Sequence, residues 1–445
     1  MPRVTGFWAR VLDIRIVDGP VLVGVYVVAV AFLLAIVVRR PAKRWLLPVG
    51  IAFGAGAVLG VLVTLLVQNV LDVFNTPMSV ETRIWIAAVF AGIAAAVTSA
   101  VVSRGWRRVV SIIAVPVFAL TTAVGINADF GIDKTLGDFL DIETLPALDL
   151  SALPPHSTNP AGPLVDSWDP PADMPEDALV GTVEIPTPAS DFDARDAVVY
   201  LPPAAQVAGA PALPVVVYMS GQPGSPAVDD VGQVLDEFTE ETGGLAPIVV
   251  AVDQLGGDGS NNPLCIDGYQ GNAATYVNDD VVAFIRTTFN VMPGPASWAI
   301  AGFSNGGGCA IRFGALHPDV WGSVIDISGE LGPSLGSEQE TIDEGFGGDA
   351  DAYEEQLPLT ILDSRSYPSS MIAVFTVGQF DGRYVRASKE LFEAAKAAGM
   401  TAYRFVSSGT GHEAATIQFG FTHAFNVLFP VWGLSSGDPA LAPPE

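Results

Sequence analysis

Residues 298–319 read WAIAGFSNGGGCAIRFGALHPD. An apolar run stops at Gly302, Ser304 follows, and a glycine-led apolar pattern with helical spacing starts at once. A serine in this G-x-S-x-G frame, between a strand and a helix, has the setting of a nucleophile held exposed above a sheet. Backbone N–H groups and the dipole at the helix start favour the negative charge that forms when a carbonyl is attacked. The five letters alone arise by accident in a glycine-rich chain, and a plain helix N-cap is the competing role for Ser304. The partners of the serine have to decide between them.

A serine hydroxyl needs a base to take its proton, and the base needs a carboxylate to orient it. Three histidines follow Ser304. His317 stands at the far end of the next helix, about 20 Å along it, and is too distant. His423 falls in the apolar helical pattern GFTHAF and reads as a packing residue. His412 sits in SSGTGHEAA, a glycine-bearing loop directly after a strand, and is the expected base. Asp381 ends the strand IAVFTVGQFD, one strand before the histidine's, and is the expected acid. Asp326 and Glu330 in IDISGE are its rivals. An oxyanion would be met by the backbone N–H of Asn305 and by one from the loop in VVVYMSGQPGSP, with Gln222 as the expected donor after the turn at Gly221.

The elements that must position these groups alternate regularly. ALVGTVEIPT and DARDAVVYLPP read as opening strands, and LPVVVYMSG, APIVVAVD, ASWAIAGFS, GSVIDISG, SSMIAVFTVGQFD and TAYRFVSSG as later ones. DDVGQVLDEFTEE, NDDVVAFIRTTFN, NGGGCAIRFGALHPD and YVRASKELFEAAKAAG read as the helices between them. Continuous β-branched runs separated by helices predict a mostly parallel sheet with helices on both faces. In such a sheet, sites form beyond the carboxyl ends of the strands.

The first part of the chain is different. Stretches at about 20–38, 46–68, 84–102 and 109–128 carry no Asp, Glu, Lys or Arg and approach or meet the length of a membrane-spanning helix. The first is long for a signal peptide, ends in VVRRPAKRW without a cleavage site, and reads as a true span. With no ionisable group inside any span, the bundle reads as an anchor and not a channel. Gly50/Gly54 and Gly56/Gly60 supply small-residue pairs for close helix approach. The loops carrying Arg39, Arg40, Lys43 and Arg44, and Arg104, Arg107 and Arg108, are the basic ones. They are expected to face the cytoplasm, which leaves both the N-terminus and the large C-terminal region outside.

Charge follows the same division. Residues 1–128 carry 11 Lys/Arg against 4 Asp/Glu, a net +7, and the rest carry 10 against 44, a net −34. An acidic soluble region repels nucleic acid. Cys265 and Cys309 both lie in it, either bridged in an oxidising compartment or left as buried thiols. No Cys/His cluster has metal spacing, so neither a metal nor another cofactor is expected. Residues 144–177 are rich in proline and read as a semi-extended linker, with His156 in solvent.

With these residues in place, the region from about 180 to 430 resembles the esterase D-type branch of the α/β-hydrolases. That branch includes feruloyl and enterochelin esterases and the secreted mycolyltransferases. VVYLPP, VVVYMSGQPGSP, CIDGYQGNAATYVNDDVVAFI, AGFSNGGGCAIRFGALHPDVWGSVIDISGE and GTGHE carry the resemblance. Multi-span actinobacterial esterases share the combination of bundle and soluble domain. The resemblance implies an α/β-hydrolase-like fold and a serine esterase or acyltransferase, with Ser304, Asp381 and His412 in the catalytic roles. It also favours a Cys265–Cys309 bridge tying the preceding loop to the nucleophile helix. The sequence reads S-N-G-G where mycolyltransferases have S-M-G-G and a glutamate acid, which sets it apart from mycolyl transfer.

The expected organisation is a four-span anchor at 1–128, a linker at 129–178, a catalytic domain at 179–432 and a disordered tail at 433–445. The expected protein is a multi-pass membrane esterase with an extracytoplasmic catalytic domain, acting on a small-molecule or lipid ester of the cell envelope. Acyl transfer to an envelope sugar, and a non-catalytic binding role on the same fold, are the alternatives. Nothing in the sequence speaks to oligomeric state.

Overall fold

The computed structural model describes residues 7–12, 14–39, 42–68, 78–131, 134–140, 142, 144–159, 161–257 and 261–436. The chain divides into two compact units, Met1–Thr144 with His412–Ala414, and Leu145–Gly411 with Ala415–Glu445.

The first unit is built on four helices, α1 (Gly19–Val37), α2 (Ala42–Leu66), α3 (Val80–Val102) and α4 (Trp106–Phe130). All four are long and apolar enough to cross a membrane, with mean hydropathy between 2.2 and 2.8. Ala95 and Ala96 of α3 and Ala114 of α4 are fully buried, while Leu47, Ile51 and Val101 face outward. Small residues at the helix contacts, with Ile36, Trp45, Val49 and Phe118 buried among them, and many large apolar residues outside suit association within lipid, where close packing and not water exclusion drives helices together. Of the two glycine pairs only Gly56/Gly60 makes a close approach. A Cβ on Gly60 would stand 2.8 Å from the Ala87 Cα, whereas one on Gly50 or Gly54 would meet no neighbouring element within 4 Å among the described residues. Beyond the C-terminal end of α1, Arg39 donates to Ser103 Oγ at 2.7 Å and lies over the Trp45 ring at 3.6 Å.

The second unit carries an eight-stranded sheet. Its strands are β1 (Leu179–Val183), β2 (Ala197–Leu201), β3 (Val215–Met219), β4 (Ile248–Val252), β5 (Trp298–Phe303), β6 (Ser323–Ile327), β7 (Ile372–Gly378) and β8 (Thr401–Ser407). The spatial order is β1-β2-β4-β3-β5-β6-β7-β8, with β1/β2 and β2/β4 antiparallel and every other pair parallel. This is an α/β-hydrolase-like fold. Strands β3 (VVVYM) and β4 (IVVAV) are buried along their whole length, as their unbroken apolar runs require of strands covered on both faces.

The main helices are α5 (Asp229–Thr242), α6 (Val281–Thr288), α7 (Asn305–Leu316), α8 (Arg383–Ala397) and α9 (Ala414–Val431). Helix α9 supplies Phe421, Phe425 and Phe429 to the core, all almost completely buried. Between β6 and β7 the chain makes short helices at Glu338–Glu340, Ala350–Glu354 and Pro358–Asp363. Their one or two turns are too brief to show a helical period in sequence.

Two expected boundaries move. From Leu145 the proline-rich segment is not a free linker but a strap laid on the second unit. Leu148 N–H donates to Thr182 O at 3.0 Å, Ser157 N–H to Asn290 Oδ1 at 2.9 Å, and Trp168 Nε1 to Gly243 O at 2.8 Å. Its prolines keep it extended, and the domain's loops satisfy the polar groups that an isolated strap would give to water. His156 stays exposed, with Nε2 3.4 Å from Thr287 O. At the other end, Leu434 is fully buried and its N–H closes α9 on Phe429 O at 2.8 Å, so packing continues past residue 432. Residues 437–445 of the expected tail lie outside the described residues.

Candidate active site

Ser304 falls between the last residue of β5 and the first of α7, with φ 57° and ψ −117°. A non-glycine residue in this region carries strain of about 1–3 kcal/mol and persists only where its surroundings enforce it. They do so here through two glycines. A Cβ on Gly302 would lie 2.0 Å from Gly306 O, and one on Gly306 would lie 2.1 Å from Met219 O at the end of β3. No side chain fits at either position, so the turn closes tightly. Ser304 N–H donates to Ile327 O at 2.9 Å, and Gly308 N–H donates to Ser304 O at 3.1 Å. The simple N-cap alternative fails, because the serine side chain makes no cap hydrogen bond.

The loop after β3 passes beside the serine, and a Cβ on Gly221 would stand 3.3 Å from the Ser304 Cβ. Gln222 follows in an exposed position with Nε2 donating to Asn261 O at 3.3 Å, which leaves its side chain outside the elbow. Asn305 is buried, and its Oδ1 accepts from Gln254 Nε2 at 3.2 Å. Gln254 Nε2 also donates to Ser220 O at 2.6 Å, joining the end of β3 to the elbow. Arg195 braces the same loop. It pairs with Asp253 at 2.7 Å and donates to Gly224 O at 2.9 Å. Sequence reasoning passed over Gln254, Arg195 and Asp253, and no local motif marks them; only their places at strand ends are readable.

Asp381 lies three residues past the end of β7 and is buried. Ser328 Oγ donates to its Oδ2, and Ser328 itself holds φ 49° at the end of β6. The strained backbone of Ser328 aims a hydroxyl at the carboxylate, a role the sequence did not announce. His412 follows Gly411 in the turn between β8 and α9. A Cβ on Gly378, the last residue of β7, would lie 2.4 Å from Gly411 O. His423 is a packing residue, its Nδ1 2.9 Å from Phe419 O and its ring against Phe405. His317 caps the far end of α7, half-buried, with its pKa lowered by burial.

The rival acids occupy different ground. Asp326 is fully buried beneath the first turn of α7, where Gly329 N–H donates to Oδ1 at 2.7 Å. Burial pushes its carboxyl up to about 7, against the opposing pull of that N–H. Glu330 is likewise pushed up to about 7 by burial, although Arg383 stands 3.6 Å away and opposes the shift. Arg383 also donates to the Tyr384 hydroxyl at 3.0 Å.

Cys265 and Cys309 form a disulfide, with Cα atoms 5.7 Å apart. Cys265 precedes the Asp267–Asn272 hairpin and Cys309 lies in α7, so the bond fastens a loop to the helix that carries Ser304. Among the described residues no group of His, Cys, Asp and Glu side chains is placed to hold a metal.

A mostly parallel sheet whose fifth strand ends in a strained serine, opening a helix through two obligatory glycines, defines a serine-hydrolase fold. The chain belongs to the Esterase family, whose model matches residues 193–416. An uncharacterised protein of Corynebacterium glutamicum is 32% identical over 361 residues, covering 79% of this chain and 83% of its own. Similar solved structures include an S-formylglutathione hydrolase from Agrobacterium tumefaciens, 18% identical with a TM-score of 0.49, covering 58% of this chain and 98% of that one. A ferulic acid esterase from Anaeromyces mucronatus is 16% identical with a TM-score of 0.43, covering 60% and 96%.

Proposed function

We propose that the protein is a membrane-anchored serine esterase whose catalytic domain lies outside the cytoplasm and acts on carboxylic esters, lipid or cell-envelope esters foremost. The observation that carries the reading is the backbone of Ser304, at φ 57° and ψ −117° at the end of β5. A strained non-glycine backbone between a strand and a helix is the geometry of a nucleophile turn and supports Ser304 as the residue that attacks the ester.

In this reading His412 takes the Ser304 proton as the oxygen attacks the ester carbonyl. Asp381, held by Ser328, orients the imidazole and stabilises its charged form. Support for His412 comes from its place one residue after Gly411, whose carbonyl lies against the end of the strand that leads to Asp381. The developing oxyanion is met by the N–H of Asn305, whose helix-start position leaves it without an intrahelical acceptor, and by the N–H of Gln222. The alcohol leaves with the proton returned by His412, and water then releases the acyl group by the same steps reversed.

The anchor sets the side of the membrane. The basic stretches at 39–44 and 104–108 support placing those loops in the cytoplasm, and the acidic, disulfide-bonded domain suits the oxidising side. A tethered enzyme meets its substrates at the bilayer surface, which favours lipid and envelope esters over freely soluble ones.

Ser304→Ala is expected to abolish fluorophosphonate labelling and to lower kcat/KM for p-nitrophenyl esters by at least about 10⁴-fold. Labelling that persists in the variant overturns the assignment of the nucleophile. Product analysis with and without trehalose separates hydrolysis from transfer, because a transferase diverts acyl groups to the sugar. Protease added to intact cells is expected to degrade the domain, and full protection would place it inside.

A further inference from the structure

A second concave site lies along α7, away from its serine end. It is a cleft of about 650 Å³ between α7, the segment Ile266–Ala274 and the segment Gly345–Gln356. Arg312 lines it two turns along α7 from Ser304, about 12 Å at 1.5 Å per residue. The volume is in the range of small-molecule sites, which combine apolar walls with a few fixed polar groups. Ile266, Leu316 and Phe346 supply apolar wall, and Tyr269, 70% exposed, stands at the rim.

The polar group is unusual. Arg312 is only 6% exposed, yet no carboxylate pairs with it among the described residues. Its Nη1 donates to Cys265 O at 2.7 Å, Nη2 meets Gln356 Oε1, and Nε has no partner among the described residues. All of its acceptors are neutral. Asp267, which also lines the cleft, is the nearby acid; it accepts from Thr275 N–H at 2.9 Å and Oγ1 at 2.7 Å and makes no ion pair with Arg312 among the described residues. Burial pushes the guanidinium down to about 10, with Asp267 opposing the shift. A buried cation without a contact counter-ion is costly, and an anion that replaces a neutral acceptor recovers part of that cost.

We propose that this cleft binds a carboxylate-bearing amphiphile, with the carboxylate on the Arg312 guanidinium in place of Gln356 Oε1 and the apolar body along Ile266, Leu316 and Phe346. Gln356 is half-buried at the cleft wall, so the incoming carboxylate takes the place of its side-chain oxygen from the open side. A monoanion suits the site better than a phosphate dianion, because residues 129–445 carry a net charge of −34. The site requires nothing of the proposed ester chemistry and stands apart from Ser304.

The test uses the full chain carrying Ser304→Ala in lipid nanodiscs. Binding of 4-(4-fluorophenyl)butyrate is followed by ¹⁹F NMR beside that of the corresponding neutral amide. The acid is expected to bind at least tenfold more tightly than the amide. Ala352→Trp, which fills the cleft from its wall and leaves Arg312 in place, is expected to abolish binding of the acid. In the chain with Ser304 intact, the same substitution leaves p-nitrophenyl ester turnover unchanged. Arg312→Gln is expected to level the affinities of acid and amide; should that variant misfold, Ala352→Trp still decides. Equal affinity for acid and amide, tighter binding of the matching phosphonate dianion, or binding that survives Ala352→Trp would each overturn the proposal. Acid binding that Ala352→Trp abolishes, in a protein without esterase turnover, upholds this site and defeats the enzymatic reading instead.

Discussion

The two units solve the packing problem in opposite ways. In the helical unit large side chains such as Val23, Leu47 and Ile51 are more than half exposed, while Ala95, Ala96, Ala114 and Ser99 are buried beside a few large ones such as Ile36, Trp45 and Phe118. In the sheet unit Val216, Val249, Ile300, Phe375 and Phe421 are wholly buried. The first pattern is stable only where the surroundings are as apolar as the side chains, so helices meet through small residues. The second draws its stability from removing apolar surface from water, and that leaves it able to hold buried polar groups in strained positions. The strained backbones of Ser304 and Ser328 both lie in the sheet unit.

Four changes sharpen or break this contrast. The largest effect is expected from Asp326, a buried acid tolerated by the well-packed sheet. Its folded pKa of about 7 lies above its unfolded value of 3.8, so the folded state binds the extra proton between those values. Stability therefore falls as pH rises through that window, by on the order of 4 kcal/mol in total. Asp326→Asn keeps an acceptor for Gly329 and removes the ionisation. Denaturant melts of the variant against wild type should show an advantage that grows from pH 4 to pH 8. A constant difference would refute the assignment.

Replacing Cys265 and Cys309 by serine comes next. The bond closes 44 residues, and its loss is expected to cost the sheet unit about 2–4 kcal/mol without unfolding the helices. Thermal scans following tryptophan fluorescence and far-UV helicity would separate the two. In the helical unit, Gly60→Leu forces a side chain against the Ala87 backbone and is expected to cost about 1–3 kcal/mol. Detergent stability should drop while ester turnover per folded molecule holds, and equal loss of both would erase the contrast. The smallest effect is expected from Ser328→Ala, which removes one hydrogen bond to Asp381. A fall of roughly tenfold in kcat with little change in KM is expected, from the 1.5–3 kcal/mol typical of bonds to charged groups.

Much of this organisation was legible from local pattern. The four spans, the eight strands and the turn at Ser304 follow from apolar run length, β-branched runs and glycine spacing, which are properties of contiguous residues. Less of the site's support could be read. Ser328 meets Asp381 across 53 residues, and Gln254 meets Asn305 across 51. Neither pair leaves a mark in sequence, because each is made by neighbouring strand ends and not by neighbouring residues. The proline-rich strap shows the same limit. Its composition predicted an extended chain, but its docking on Thr182, Asn290 and Gly243 depends on acceptors and donors presented by distant loops.

What the sequence determined alone is the division of the chain into a lipid-compatible part and an acidic α/β part, and the position of one serine where glycine is required on both sides. Hydropathy, charge and backbone sterics act over a few residues and need no fold to be read. Tertiary structure alone decided which buried carboxylate Ser328 holds, that Asp326 and Glu330 are pushed up to about 7, and that Arg312 is buried without an acid. Those outcomes depend on desolvation and on contacts made only when strands far apart in sequence end side by side.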